Sequence, residues 1–98
     1  MAFLQQKVVG FLGVERLSGE EAVLKHIAVL RHYRRLGIGK QMLDNYMRLY
    51  RIPTIEAETD RDAVQFYRHI GFQIKSLGEK YPGVERFRCI YYDGRDTR

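Results

Sequence analysis

The sequence predicts an α+β domain, three-layer-like, in which a mixed, mostly antiparallel sheet carries two main helices. Strand-like alternation and helix-like periodicity follow one another along 98 residues in the order strands, helix, strand, helix, strands. Strands joined by a helix favour parallel neighbours, whereas strands joined by short turns favour antiparallel ones. Because turns join the strands at both ends of the chain and helices join those in the middle, both kinds of pairing are expected.

The first 30 residues are predicted to form an antiparallel meander. Strands are expected at 2–5, 8–14 and 22–30. The Ser-Gly-Glu sequence at 18–20 has the composition of a turn and separates the second strand from the third.

A first helix is predicted over 37–50. Apolar residues recur at helical spacing along one face, namely Ile38, Met42, Leu43, Tyr46 and Tyr50. Arginines near its C-terminal end suit the negative end of the helix dipole, and a proline at position 53 ends it.

A second helix is predicted after a short strand at 54–59. Asp60 is expected to cap its N-terminus, and Gly71 to end it. Two further strands at 72–77 and 86–92 should then form a hairpin. The chain is therefore expected to be one domain, with N-terminal strands at 1–30, the turn, helices and intervening strand at 31–72, C-terminal strands at 73–92 and a frayed tail at 93–98.

The composition predicts a small folded domain that prefers anions. Hydrophobic residues make up 45% of the chain, which is enough for a core and is not typical of disorder. No apolar run approaches the roughly 20 residues that span a membrane, and no signal peptide is recognisable, so a cytoplasmic location is expected. The net charge of +5 favours an anionic partner. Nucleic acid is not the expected one, because most basic residues are scattered.

The segment 34–40, which reads RRLGIGK, predicts a site for a phosphorylated ligand. It lies between the apolar run at 27–30 and the first predicted helix. A helix start carries unpaired N–H groups and a partial positive charge, and both attract anions. Gly37 and Gly39 let a phosphate approach the backbone where a Cβ would intrude. A pyrophosphate is the expected ligand.

Two motifs together resemble those of the GCN5-related N-acetyltransferase (GNAT) family. Arg34, Gly37 and Gly39 occupy the fixed positions of that family's acetyl-CoA motif, Arg/Gln-x-x-Gly-x-Gly/Ala. Downstream, 63–72 reads AVQFYRHIGF and resembles the family's Ala-x-x-Phe-Tyr-x-x-x-Gly-Phe signature. The resemblance covers nearly the whole chain, which looks like a short form lacking the family's N-terminal strand and two helices.

The resemblance implies the acyl-CoA N-acyltransferase fold and an acetyl-CoA-dependent N-acetyltransferase. The acetyl group would pass from acetyl-CoA, the co-substrate, to an unidentified primary amine by direct attack in a ternary complex. The alternative is a non-catalytic acetyl-CoA-binding module, or one that needs a partner chain to complete its acceptor site. No metal is expected because no His/Cys cluster has metal-ligand spacing. An exposed sheet edge favours a homo-oligomer.

The same resemblance implies where the cofactor binds. The implied cofactor-binding residues are Ile27, Val29, Arg34, Arg35, Leu36, Gly37, Ile38, Gly39 and Lys40. The strand residues would pair with the pantetheine as an added strand does, and the amides at 35–40 would cradle the pyrophosphate. The Val29 amide would also contact the oxyanion of the reacting thioester.

Three side chains are candidates for proton transfer. Tyr67 is implied as the general acid that protonates the departing CoA thiolate, because a phenol stays protonated at neutral pH; the alternative is an aromatic that covers the core. An ammonium acceptor must lose a proton before it attacks. Glu56 or Glu58, on one face of the strand before the second motif, could serve as the base; as surface carboxylates they would need no such role.

Overall fold

The computed structural model describes residues 2–4, 7–34 and 36–93. These residues form six strands, two α-helices and one short 3-10 helix. The elements are β1 (Ala2–Leu4), β2 (Lys7–Arg16), β3 (Glu21–Val29), the 3-10 helix (Arg31–Tyr33), α1 (Ile38–Tyr50), β4 (Thr54–Asp60), α2 (Val64–Ile70), β5 (Gln73–Tyr81) and β6 (Val84–Tyr92).

The strands form one sheet in the order β1-β2-β3-β4-β6-β5. β3 and β4 are parallel, and the other adjacent strands are antiparallel. The predicted mixed, mostly antiparallel sheet with two main helices is therefore confirmed. The expectation that helix-linked strands are parallel neighbours holds for β3 and β4, which α1 connects. It is wrong for the strands that α2 connects, since β6 lies between β4 and β5 and pairs with both.

β3 and β4 pair over only three residues of each strand. The pairing runs from Glu21 opposite Thr54 to Val23 opposite Glu56. β3 continues to Val29 and β4 to Asp60, so the two strands part beyond this point. The β2–β3 ladder also shifts register between Gly13 and Val14, and such bulges bend and twist a strand. The parting leaves a gap at the C-terminal end of β3, next to the start of α1.

Both helices pack on the same face of the sheet. The buried core consists of Ala22, Leu24, Leu43, Met47, Ile52, Ile55, Ala57, Phe72, Cys89 and Tyr91, and Ile70 of α2 packs against it. The helices also meet each other, because a Cβ built on Gly39 would lie 3.1 Å from Cδ1 of Ile70. The N-terminus of α1 is therefore held directly against the C-terminal end of α2.

α1 matches its prediction to within one residue, but its buried face is rotated. The buried residues are Gly39, Met42, Leu43 and Met47, whereas Tyr50 is 44% exposed. Its ring lies 5.8 Å from the guanidinium carbon of Arg16, a cation–π contact at the surface. Tyr50, which helical spacing predicted on the apolar face, therefore lies at the surface and not in the core.

α2 begins later than predicted. Asp60 is the last residue of β4, and its Oδ1 accepts a hydrogen bond from the Ala63 amide at 3.1 Å. The side chain therefore caps the turn at 61–63, and the helix starts only at Val64, so the predicted N-cap is wrong. β5 and β6 are longer than predicted and meet at a tight turn at 82–83.

The predicted tail lies outside the described residues except for Asp93. In the part of the chain that the structure describes, no helix is both long and apolar enough to cross a membrane.

Candidate active site

A cavity of about 660 Å³ opens where β3 ends and α1 begins. Its lining residues are Val29, Tyr33, Arg34, Gly37, Ile38, Gly39 and Lys40 from that segment, with Phe66, His69 and Ile70 from α2. The cavity therefore lies where the end of β3, the start of α1 and one side of α2 meet. Apolar walls with a few convergent polar groups are typical of a small-molecule site.

The N-terminus of α1 presents unpaired amides to this cavity. The first hydrogen bond of the helix runs from the Gln41 amide to the Gly37 carbonyl at 2.9 Å. The amides of Ile38, Gly39 and Lys40 precede this bond and therefore have no acceptor within the helix. No side chain caps this end, and its first turn contains no acidic residue. Such an end favours an anion.

The end of β3 presents backbone groups to the gap beside β4. The Leu30 amide donates to the Val9 carbonyl at 2.8 Å, so Leu30 faces β2. Because hydrogen-bonding groups alternate in direction along an antiparallel strand, those of Val29 and Ile27 face the opposite side. An extended ligand in the gap could pair with them as an added strand would.

Arg34 folds back onto the end of β3. Its Nε donates a hydrogen bond to the Val29 carbonyl at 3.1 Å. This bond ties the segment after the 3-10 helix to the strand and holds the guanidinium at the cavity. An arginine has five N–H donors, so this bond leaves four for a ligand.

Lys40, which lines the cavity, also belongs to a polar cluster with Tyr91 and Asp44. Its Nζ donates to the Tyr91 hydroxyl at 2.7 Å and lies 3.4 Å from Oδ2 of Asp44. The hydrogen bond to Tyr91 raises the pKa of Lys40, and the charge of Asp44 adds to this effect. Burial raises the pKa of Tyr91. The ammonium is therefore charged, but its charge is partly balanced before any ligand binds.

The structure brings six of the nine predicted cofactor-binding residues to the cavity. These are Val29, Arg34, Gly37, Ile38, Gly39 and Lys40. Ile27 packs against the core, and Leu36 is 64% exposed; neither side chain lines the cavity. Arg35 lies outside the described residues.

Four lining residues were not predicted from the sequence: Tyr33, Phe66, His69 and Ile70. Positions 66, 69 and 70 recur at helical spacing, which places them on one face of α2. That periodicity could have identified a helix face. Its contact with the start of α1 could not be predicted, because the contact depends on how the two helices pack.

Tyr67 is half-buried and does not line this cavity. Its ring makes edge contacts with Phe66 and Phe72, with centroids 5.7 and 5.2 Å apart. Burial raises the pKa of Tyr67, and the neighbouring Cys89 thiol adds to this effect. The phenol is therefore protonated at neutral pH, as a general acid must be, and it also covers the core.

Glu56 and Glu58 lie on the sheet face opposite the helices. They alternate with Ile55 and Ala57, which are buried under the helices, and side chains alternate between the faces of a strand. Glu56 pairs with Nε of Arg88. Glu58 pairs with Arg86, with Nε 3.1 Å from Oε2. Both candidate bases are thus engaged in ion pairs.

Among the described residues, no three His, Cys, Asp or Glu side chains are grouped as metal ligands would be.

Comparison with known proteins identifies the family of the chain. The family model for the acetyltransferase (GNAT) domain matches residues 1–74, which is most of the chain. The chain therefore belongs to the GNAT acetyltransferases. A search of curated proteins found no significant match.

Several solved structures share the fold. Ard1 from Thermoplasma volcanium is 26% identical with a TM-score of 0.66, and the match covers 90% of this chain and 65% of that one. The ribosomal-protein-S18-alanine N-acetyltransferase from Escherichia coli is 20% identical with a TM-score of 0.66, and the match covers 98% of this chain and 70% of that one. A GNAT family acetyltransferase from Elizabethkingia anophelis with acetyl-CoA bound is 16% identical with a TM-score of 0.64, and the match covers 92% of this chain and 72% of that one. The chain thus spans less than two thirds of the Ard1 chain.

Proposed function

We propose that this chain is an acetyl-CoA-dependent N-acetyltransferase that acts on a primary amine by direct attack in a ternary complex. One observation carries the proposal: the unpaired N-terminus of α1 opens into a cavity beside the free edge of β3. Membership of the GNAT acetyltransferases supports acyl transfer. Two similar structures are an aminoglycoside 6'-N-acetyltransferase and the S18-alanine N-acetyltransferase, and these names support nitrogen as the acceptor.

The proposed cofactor position follows from the two kinds of donor at the cavity. The pyrophosphate binds at the amides of Ile38, Gly39 and Lys40, with Arg34 beside it. The pantetheine runs along the backbone of Ile27 and Val29, in the gap that β4 leaves open. The Lys40 amide binds the pyrophosphate directly. The Lys40 ammonium adds positive charge while it stays bonded to Tyr91 and paired with Asp44.

The proposed reaction transfers one acetyl group, together with the proton transfers that this requires. The neutral amine attacks the thioester carbonyl carbon, and the resulting oxyanion accepts a hydrogen bond from the Val29 amide. The C–S bond then breaks, the CoA thiolate takes a proton from Tyr67, and the Tyr67 phenolate regains a proton from the amide nitrogen, directly or through water, as the neutral amide forms. A base, Glu56 or Glu58, removes the proton that the ammonium must lose, directly or through water.

The first test separates catalysis from binding at Tyr67. We expect Tyr67→Phe to lower kcat by about a hundredfold or more, the typical range for loss of a general acid, while acetyl-CoA affinity stays within about twofold. Tyr46→Phe, at a partly buried tyrosine of α1 that does not line the cavity, is the matched control. Unchanged turnover in Tyr67→Phe would refute the assignment of Tyr67.

The bases are tested by Glu56→Gln and Glu58→Gln. Exposed ion pairs contribute about 0–1 kcal/mol each, so both variants should fold. We expect one of them to lose turnover and the acidic limb of its pH–rate profile, with acetyl-CoA affinity unchanged. Equal turnover in wild type and both variants would exclude both carboxylates.

The acceptor is sought by following CoA thiol release with a panel of amines. The panel contains N-terminal peptides, lysine peptides, polyamines and aminoglycosides, each assayed with wild type and Tyr67→Phe. Turnover of any amine by the isolated chain supports the enzyme. Tight acetyl-CoA binding without turnover of any amine would instead favour the non-catalytic module, or one that needs a partner chain.

A further inference from the structure

The basic side chains that line the cavity differ in whether they already have partners. Arg34 donates its Nε to the Val29 carbonyl. Lys40 is bonded to Tyr91 and paired with Asp44. Both are therefore partly engaged before a ligand arrives. Any ligand that recruits either group must compete with, or share, an existing interaction.

His69 differs from both of these residues. It lines the cavity from α2, is exposed, and makes no hydrogen bond or ion pair within the described part of the chain. Its neighbour Ile70 is the residue that packs against Gly39 at the start of α1. The imidazole is thus carried by the helix that abuts the phosphate-binding amides, on the wall that faces the cavity.

We propose that His69 binds a phosphate group of acetyl-CoA and makes cofactor affinity increase as the imidazole gains a proton. The proposal rests on the proposed acetyl-CoA site and adds a residue and a pH dependence to it. A protonated imidazole offers two N–H donors and a positive charge to a phosphate oxygen, whereas the neutral ring offers one donor and no charge.

His69 shares the cavity with few other ionisable side chains. The other ionisable side chains that line the cavity are Tyr33, Arg34 and Lys40, and Lys40 is paired with Asp44. Phenol, guanidinium and ammonium groups ordinarily titrate above pH 9, and carboxylates below pH 5. Imidazole is the group that ordinarily titrates at about pH 6.5.

The ligand itself requires a control, because a phosphate monoester has a second ionisation at about pH 6. CoA carries such a group at its 3′ position, whereas dephospho-CoA keeps only the pyrophosphate. In His69→Lys the charge at position 69 is fixed, so any remaining pH dependence in that variant belongs to the ligand or to other groups.

The test measures the affinity of CoA and dephospho-CoA by calorimetry at about pH 6 and pH 8. The proteins are wild type, His69→Gln, His69→Lys and the matched control His32→Gln. His32 is an exposed histidine of the 3-10 helix that does not line the cavity. Circular dichroism checks that each variant is folded.

We compare the ratio of CoA affinity at about pH 6 to that at about pH 8. We expect this ratio to be about twofold to fivefold larger in wild type than in His69→Lys, in which the remaining pH dependence belongs to the ligand or to other groups. His69→Gln should lose this gain, His69→Lys should bind tightly at both pH values, and His32→Gln should match wild type. If dephospho-CoA shows the same gain, His69 contacts the pyrophosphate; if the gain is lost with dephospho-CoA, it contacts the 3′-phosphate.

Two results would overturn the proposal, and they differ. If wild type and His69→Gln bind CoA equally at both pH values, His69 has no role although the cofactor site stands. If the folded wild type binds neither CoA nor acetyl-CoA at either pH, the proposed cofactor site itself is refuted, and the role of His69 with it.

Discussion

The hydroxyl of Tyr91 donates a hydrogen bond to Oδ1 of Asp44 over 2.7 Å, joining β6 to the helix whose amides face the cavity. The hydroxyl oxygen of Tyr91 also accepts a hydrogen bond from Nζ of Lys40. Tyr91 is only 2% exposed, so water cannot readily replace either bond. Two residues one turn apart on α1 are thereby fixed to a strand that is distant in sequence.

Loss of this hydroxyl should destabilise the fold. We expect Tyr91→Phe to lower the free energy of unfolding by about 1–2 kcal/mol, because partly buried groups of Asp44 and Lys40 lose a partner. Urea denaturation measures the change. Tyr92→Phe, at the adjacent and more exposed tyrosine, should change it by less than about 0.5 kcal/mol. Equal effects of the two substitutions would contradict a special role for the cluster.

The same cluster predicts a loss of stability in alkali. The pKa of Tyr91 and that of Lys40 are both raised in the folded protein. Above about pH 10 the unfolded chain therefore releases protons that the folded chain retains, so stability should be complete below that pH and fall as the pH rises further. Urea titrations at pH 9 and pH 11 should show this decrease, and Tyr91→Phe should lose less over the same interval. An equal decrease in the variant would show that other groups cause it.

The two glycines at the start of α1 should respond differently to alanine. Gly37 has φ of 77°, a left-handed conformation, with open space around its missing Cβ. We expect Gly37→Ala to cost about 1 kcal/mol through backbone strain alone. At Gly39 a Cβ would meet the flexible end of Ile70 at 3.1 Å, but alanine gains helix propensity. Gly39→Ala should therefore lie within about 0.5 kcal/mol of wild type, and a larger loss than that of Gly37→Ala would contradict this account.

Arg34 should matter for cofactor affinity more than its neighbour in the 3-10 helix. We expect Arg34→Gln to weaken acetyl-CoA binding by about fivefold, because it removes a charge at the cavity and the bond to the Val29 carbonyl. Arg31→Gln removes one charge from an exposed residue that does not line the cavity, and should have little effect. Calorimetry with acetyl-CoA compares them. Equal losses would indicate general electrostatic attraction in place of a specific contact.

Local sequence patterns predicted the helices, most strands and the glycine-bearing turn before α1. Each of these depends on neighbouring residues: the periodicity of α1, the alternation in β4 and β6, and Gly37, which permits a left-handed turn. The position of β6 between β4 and β5 was not predictable in this way, because strand order depends on pairing between distant segments.

The same limit applies to the candidate site. Val29 and Gly37 to Lys40 follow from one short motif and lie at the cavity. His69 was missed because its place at the cavity depends on α2 packing against α1. The Lys40–Asp44 spacing is visible in the sequence as a helical pair, but its third member, Tyr91, is 47 residues from Asp44.

The parting of β3 from β4 has a consequence for the lifetime of the protein. The unpaired edge of β3 is a place where the free protein lacks a neighbour, and a cofactor that binds only the folded chain would supply one. By mass action, acetyl-CoA at about 100 times its Kd would add about 2.7 kcal/mol to the free energy of unfolding. The supply of the cofactor would then set how much of the chain stays folded and escapes proteolysis.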